Sequence, residues 1–309
     1  MRALVTGGAG FIGSNIVDAL VERGDEVTVL DNLSTGKREN LEGALAGGAE
    51  LAEADIREPE ALAEVFGRVR PETVFHLAAQ IDVRKSVADP ALDARINVEG
   101  TINVLRAALE SGAGRVINTS TGGAIYGEGK ILPAPEDHPV APEAPYGQSK
   151  FCAEGYADLF KRLHGLSTVS LRYGNVYGPR QDPLGEAGVV AIFCGRLVEG
   201  GKATVFGDGL QTRDYVYVGD VVAANLAAAE THANGAFNIG TGVEASVVDV
   251  IEALNAAAGD SELEYEHAAE RPGEVRHIAL ETARAEGELG WQAKIGLEEG
   301  LRLTLESLS

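Results

Sequence analysis

Tyr146 and Lys150 stand four residues apart in the run PYGQSK. On a helix that spacing is about one turn, which puts a phenol and an ammonium on the same face. A free tyrosine titrates near about 10, too high for a base at neutral pH, but an adjacent ammonium favours the phenolate and brings the value down. The pair therefore reads as a group that takes a proton from an alcohol and later returns it. A tyrosine packed on a lysine stem would have the same spacing, so the elements around the pair must decide between the two.

The N-terminus supplies those elements. Ala3, Leu4 and Val5 form an apolar run suited to a buried parallel strand; Gly7, Gly10 and Gly13 follow, and then Ile16, Val17 and Leu20 at helical spacing. Strand, glycine turn and helix make a dinucleotide site: Gly7 for the tight turn, Gly10 for close approach of a pyrophosphate, Gly13 for helix packing, with the helix N-terminus offering N–H groups to the anion. A second strand, Val27 to Leu30, ends at Asp31, which accepts from an adenosine ribose and repels a 2'-phosphate. NAD is expected over NADP, although Lys37 and Arg38 lie just downstream. With the Tyr–Lys pair, the chemistry expected is redox on a nicotinamide.

Strand-like and helix-like runs alternate through the first half, which predicts an α/β fold, a Rossmann-like doubly wound parallel sheet. Strands are expected at Glu50 to Ala54, Thr73 to His76, Val116 to Thr119 and Val169 to Leu171, and helices at Glu58 to Arg68 and Ala91 to Ser111. Ligands in such sheets lie at the carboxyl ends of strands. Asp55 and Ile56 should then flank the adenine, Leu77, Ala78, Ala79 and Gln80 should run beside the cofactor, and Ser120 with Thr121 should face the nicotinamide. Residues 1–174 are expected to form the NAD-binding domain. Residues 175–309, where short runs are broken by Gly, Pro and Asp, should form mainly a smaller substrate-binding lobe interleaved with the final sheet strands. Helices are expected there near Gly188 to Glu199, Val221 to Glu230 and Val247 to Ala258.

Composition narrows the function classes. A formal net charge of -21 with pI near 4.7 disfavours nucleic acid and anionic membranes, and is equally the mark of a solvated acidic surface or a salty cytoplasm. No apolar run approaches the roughly 20 residues needed to span a bilayer. The first strand begins at the N-terminus, so no signal peptide is expected and the protein is placed in the cytoplasm. Cys152 and Cys194 read as packing residues, and no His/Cys/Asp/Glu spacing suggests a metal site.

The runs TGGAGFIGS, DNLSTG, HLAAQ, STGGAIYG, PYGQSK, LRYGNVYGPR, GDGLQTRDYVYV and RPGEVR, spread over essentially the whole chain, resemble the extended short-chain dehydrogenase/reductase family in its nucleotide-sugar branch. The match is best to its UDP-glucose 4-epimerases. The resemblance implies an isomerase with tightly held NAD that oxidises a hexose C4 hydroxyl, lets the transient 4-keto sugar swing, and restores hydrogen on the opposite face, interconverting UDP-glucose and UDP-galactose. It further implies cofactor contacts from Phe11, Ile12, Asn32, Ser34, Thr35, Gly36, Asn97 and Tyr173 besides Tyr146 and Lys150. Substrate contacts are implied from Asn175, Val189, Arg213, Arg271 and Glu274, with Arg180 and Arg276 as alternatives on the diphosphate. His76 reads as structural.

One departure bears on mechanism. The family's serine or threonine four residues before the pair matching Tyr126-Gly127 falls here on Gly122. The proton-bridging role passes to Thr121, with Ser120 as alternative. Nucleotide-sugar 4,6-dehydratases carry an Asp-Glu pair where this chain has Gly122-Gly123, so dehydration lacks its acid and base. Ile278 matches the position that tunes N-acetyl tolerance, and Arg84, Lys85 or Arg172 could serve a C6 carboxylate. A UDP-glucuronate or UDP-N-acetylglucosamine 4-epimerase is therefore the second reading and an NAD-reading redox sensor the third. A homodimer through the helices Ala91 to Ser111 and Tyr146 to His164 is implied by the resemblance.

Overall fold

Seven short runs become one parallel sheet, most of them rich in β-branched and other apolar residues and the edge run, ELAE, half charged. In the computed structural model, which describes residues 1–183, 188–259, 261–270 and 275–308, these are β1 (Arg2–Thr6), β2 (Glu26–Asp31), β3 (Glu50–Glu53), β4 (Thr73–His76), β5 (Arg115–Thr121), β6 (Ser167–Tyr173) and β7 (Gly235–Ile239). Their order is β7-β6-β5-β4-β1-β2-β3, with every neighbouring pair parallel. This is the doubly wound Rossmann arrangement. The order reverses between β1 and β4, which opens a crevice at the carboxyl edge of the sheet. Register brings the strand ends together there: Thr6 lies opposite Leu30 and His76, and Thr121 opposite Tyr173.

Apolar layers cover both faces. Val5, Val29, Phe75, Ile117, Val169 and Leu171 pack with Ile16, Val17 and Leu20 of the helix Phe11–Glu22 and with Val221, Ala224 and Ala228 of the helix Val218–Glu230. The other face carries Leu4, Leu30, Val74 and Val116 under Val104, Leu105, Ala108 and Ala157. Burial on both faces is why these strands read as continuous apolar runs rather than alternating ones.

The helix that bears Tyr146 and Lys150 spans Pro145–His164. Pro145 starts it, its missing N–H being one that a first turn leaves unbonded, and Gly165 at φ +74 ends it in the left-handed region. Lys161, Arg162 and His164 in its last turn complement the dipole.

The single helix expected over Ala91 to Ser111 is instead three segments in line, Pro90–Ala94, a π turn at Arg95–Glu99, and Gly100–Ser111. The wider turn carries Asn97, whose side chain bonds the Gln80 backbone through both its oxygen and its nitrogen. The helix expected from Val221 begins at Val218, and β5 and β6 each extend beyond the expected runs.

Beyond β6 the chain builds a second cluster in which Tyr177, Phe193, Val205, Tyr215, Val250, Leu254 and Leu301 pack together. Three two-stranded ladders frame it: Asn175–Tyr177 with Tyr215–Tyr217, Thr212–Arg213 with Ala245–Ser246, and Ala203–Phe206 with Tyr265–Ala268. Between these pieces the chain returns to the sheet with β7 and with Ala285, Leu289 and Trp291. No helix among the described residues is long and apolar enough to cross a membrane.

Candidate active site

The glycine turn sorts its residues by cause. Gly7 sits at φ +68, and a Cβ there would lie 2.6 Å from the Ala78 nitrogen; a Cβ on Gly13 would lie 2.2 Å from the Gly7 oxygen. These two are glycine for the fold's own reasons. A Cβ on Gly10 would meet only the Gly7 oxygen, at 3.3 Å. The bare surface at Gly10, the N-cap of Phe11–Glu22, is thus explained by close approach of something in the crevice, as a dinucleotide pyrophosphate requires. Phe11 and Ile12 open that helix, half-buried.

Asp31, at the end of β2, accepts from the Leu33 and Ala9 nitrogens, both at 2.9 Å, one to each oxygen. Burial pushes its carboxyl up while those two N–H groups pull it down. Each oxygen keeps a lone pair for a ribose hydroxyl. Gly36 closes over it, with a Cβ there only 3.0 Å from either carboxylate oxygen, and Ser34 and Thr35 lie exposed beside it. Lys37 and Arg38 face carboxylates instead, Asp182 at 3.1 Å and Glu53 at 3.2 Å. That supports a cofactor without a 2'-phosphate. Asn32 donates to Asp55 at 2.8 Å, and Arg57 holds the Asp55 carboxyl down at about 2. Ile56 turns its side chain into the core against Gly100.

At the end of β4, His76 is held by two threonines. Thr6 Oγ1 lies 2.7 Å from Nδ1 and Thr101 Oγ1 lies 3.0 Å from Nε2. Thr101 donates its own proton to the Asn97 carbonyl, which assigns the ring hydrogen to Nε2. Burial holds the imidazole neutral, its value pushed down to about 3. The role is structural. The turn Leu77, Ala78, Ala79 and Gln80 follows along the crevice. Asn97, expected among the cofactor contacts, is buried behind that turn: it accepts from the Gln80 nitrogen and donates to the Gln80 oxygen, both at 2.8 Å. It acts on the crevice through Gln80.

Lys150 is buried, and its Nζ donates to the Thr119 oxygen of β5 at 3.0 Å. Burial lowers its value to about 8, against the opposing pull of Asp93 and Glu154. Tyr146, one turn nearer the helix start, is half-buried. Strand alternation separates the two hydroxyl candidates. Val116 packs on the sheet face that carries Ala157 of this helix, and Ile117 on the opposite face. Ser120 therefore points with Val116 toward the helix of Tyr146, and Thr121 points with Ile117 until the chain bends into Gly122–Ile125. The Ser120 hydroxyl is buried and makes no hydrogen bond, whereas Thr121 is half-buried. Tyr173 ends β6 at the crevice, but its phenol lies in the core and receives Asn225 Nδ2 at 2.7 Å, which leaves only its backbone for a cofactor.

At Gly122 a Cβ would lie 2.5 Å from Leu280, and at Gly123 it would lie 3.1 Å from Asn175 Oδ1. Asn175, half-buried at the start of its strand, thus faces the same bend.

The arginines divide. Arg172 does not reach the crevice: its guanidinium is buried against Glu154 at 2.7 Å and donates to the Tyr126 hydroxyl at 2.8 Å and to the Glu136 oxygen at 2.9 Å. Arg276 forks onto Asp208 at 2.7 and 2.8 Å, and Arg180 pairs with Asp18. Arg84 is exposed beside Asp82. Arg213 is half-buried and donates to the Thr212 oxygen at 2.7 Å. Val189 opens the helix Val189–Glu199, packed against the second cluster. Arg271 and Glu274 lie outside the described residues. Ile278, expected to border the sugar, is buried among Ile125, Tyr126, Ala134 and Leu280.

Two carboxylates went unnoticed in the sequence. Asp214, buried beside Arg213, accepts from Thr241 N, Gly242 N and Leu280 N at 2.7 to 3.1 Å, and so ties the loop after β7 and the C-terminal segment to the strand start at Asn175. Asp93 is the other. The only signal for Asp214 was a carboxylate inside the apolar run DYVYV. Among the described residues no group of His, Cys, Asp or Glu could hold a metal ion.

Over residues 3–240 the sequence matches the family described as NAD dependent epimerase/dehydratase. It is 47% identical to the putative UDP-glucose 4-epimerase of Methanocaldococcus jannaschii, covering 97% of this chain and 95% of that protein. The UDP-glucose 4-epimerase of Thermotoga maritima, solved with UDP-glucose, has a TM-score of 0.94 at 49% identity over 100% of this chain and 98% of its own. That of Thermus thermophilus, solved with NAD, has a TM-score of 0.93 at 45% identity over 99% and 98%.

Proposed function

Because the chain belongs to the NAD dependent epimerase/dehydratase family, we propose that it is an NAD-dependent UDP-glucose 4-epimerase, interconverting UDP-glucose and UDP-galactose through a transient 4-keto sugar. The observation that carries this reading is the buried Lys150 fixed under the end of β5 one turn from Tyr146, at the crevice formed by Gly7, Gly10 and Asp31.

What the dinucleotide supplies when bound is a reversible hydride acceptor. The protein's own groups handle the proton. Tyr146 takes it from the C4 hydroxyl and returns it to the same oxygen after the sugar has turned, so one group serves as base and then acid. The Lys150 ammonium stabilises the phenolate electrostatically. For the bridging hydroxyl, the buried Ser120 on the face of Tyr146 is better supported than Thr121. We assign the diphosphate to Arg213, half-buried next to the Asp214 that bonds the strand start at Asn175, and the sugar to Asn175.

Two features support epimerisation of a neutral hexose. Positions 122 and 123 are both glycine, with Leu280 packed over Gly122, so neither supplies a carboxylate to eliminate water. Arg172, a candidate partner for a C6 carboxylate, is engaged by Glu154. On this reading the protein is a cytoplasmic enzyme of galactose metabolism. A homodimer is supported by Tyr156 and Leu163, which share one side of the helix Pro145–His164 and are 37% and 65% exposed.

The test is to incubate the purified protein with UDP-glucose, without added NAD, and to look for UDP-galactose by chromatography. Formation is expected, with Tyr146→Phe slower by about a thousandfold. Turnover of UDP-glucuronate or UDP-N-acetylglucosamine alone would move the reading to those sugars, and no turnover of any would overturn it.

A further inference from the structure

Asp93 is 1% exposed in the segment just before the π turn, yet among the described residues no cationic group lies within ion-pair distance of it. Its Oδ1 accepts from Gln80 Nε2 at 2.8 Å and Asn97 Nδ2 at 3.1 Å. Its Oδ2 is buried and makes no hydrogen bond. A buried carboxylate held only by amides is costly unless a positive charge stands near it.

The nearby charge is Lys150. Among the described residues, besides Tyr146 one turn back on its own helix, the groups that bear on it are His76 from β4, Asp93 from the helix packed alongside, and Glu154 one turn further along. His76 is neutral. Glu154 is already engaged by the Arg172 guanidinium through both oxygens, at 3.0, 3.2 and 2.7 Å. That leaves Asp93 as the carboxylate whose charge is not already matched.

We propose that Asp93 is a positioning residue of this site: one oxygen holds the 77–80 turn through Gln80 and Asn97, and the whole carboxylate supplies the counter-charge for the buried Lys150 ammonium. The inference rests on the reading of Tyr146 and Lys150 as the proton-handling pair. It couples the shape of the cofactor crevice to the charge of the catalytic lysine through one side chain. Removing the carboxylate leaves desolvation of the ammonium unopposed, so the lysine loses its proton at lower pH.

The measurement is the titration of Lys150 by carbon NMR of the full chain labelled at the lysine ε-carbons, assigned by the signal lost in Lys150→Arg. Asp93→Asn keeps an acceptor for Gln80 and removes the charge. Its Lys150 midpoint should fall by about one pH unit, and Asp93→Glu should restore most of it. Gln80→Met, which keeps the charge, should leave the midpoint in place while NAD is lost faster on dialysis. Should Asp93→Asn fail to fold, Asp93→Ser carries the same expectation. An unchanged midpoint in the neutral variant overturns the proposal. This readout needs no sugar turnover, so failure of the epimerase assay and failure of this proposal are separate results.

Discussion

Replacing Lys150 by Met together with Asp93 by Asn, so that no buried carboxylate is stranded, should make the protein more stable at neutral pH while abolishing its activity. The ammonium is buried, and its value falls from the ordinary 10.5 to about 8. A gap of that size corresponds to about 3 kcal/mol by which burial disfavours the charged lysine. Met has similar length and no charge to desolvate. Against that gain stands the hydrogen bond to the Thr119 oxygen, worth about 1 kcal/mol, so a net gain of about 2 kcal/mol is expected at pH 7. The sign of the pH dependence follows from the folded value lying below the unfolded one. Between about 8 and 10.5 the unfolded chain holds the extra proton, so the natural protein gains stability as pH rises through that window, and below it the whole deficit persists. The advantage of the variant should therefore be constant below pH 8, shrink above it, and become a deficit of about 1 kcal/mol near pH 10.5. Urea melts of both proteins freed of nucleotide can be followed through Trp291, the one tryptophan, buried with its Nε1 bonded to the Asp220 oxygen at 2.9 Å. A variant less stable at pH 7, or a difference that stays flat from pH 6 to 10, would refute the claim that the lysine is held charged at a cost.

Two further expectations concern groups around the pair. Arg172→Met strands Glu154 in the interior and should cost about 4 kcal/mol in urea melts, whereas Arg172→Met with Glu154→Gln should recover most of it; equal losses in the single and double variants would mean that the buried pair matters only as packing. Ser120→Ala should reduce the epimerisation rate about a hundredfold with little change in melting, while Thr121→Val should lose less than tenfold; the reverse order would return the bridging role to the residue at the bend.

What could be read from the sequence was what is decided within a few residues. A glycine at φ +68 followed by a strand-to-helix turn declares itself by spacing, and so does a phenol one turn from an ammonium. The strands buried on both faces were legible for the same reason, since each is an apolar run bounded by its own turn. The π turn at Arg95–Glu99 was not, because nothing local distinguishes it from a continuous helix; the partner its Asn97 bonds is Gln80, 17 residues away. Arg172 illustrates the opposite error. A basic residue in a site motif suggested a ligand, but Glu154 is 18 residues back and Tyr126 is 46 back, and only the fold places both against the guanidinium. Ile278 failed likewise, since its neighbours Ile125 and Tyr126 come from a distant part of the chain.

Asp93 shows why such partners matter for function and not only for packing. In the sequence it is one acid among forty-seven on a strongly acidic chain, and a solvated helix face is the natural reading. Burial reverses its meaning. On the surface its charge would be screened and its effect on Lys150 small, but at 1% exposure the same charge acts through a medium of low dielectric. A lysine buried enough to influence a phenol is also buried enough to lose its own proton near neutral pH, and the chain needs an unmatched carboxylate nearby to prevent that. The one available also grips the cofactor turn, so a substitution that loosens the turn through Asp93 also weakens the base, whereas one made at Gln80 loosens the turn alone. Comparing NAD retention with the Lys150 midpoint across Asp93→Asn and Gln80→Met separates those two effects, and a midpoint that moved equally in both variants would mean that the turn, and not the charge, sets the lysine.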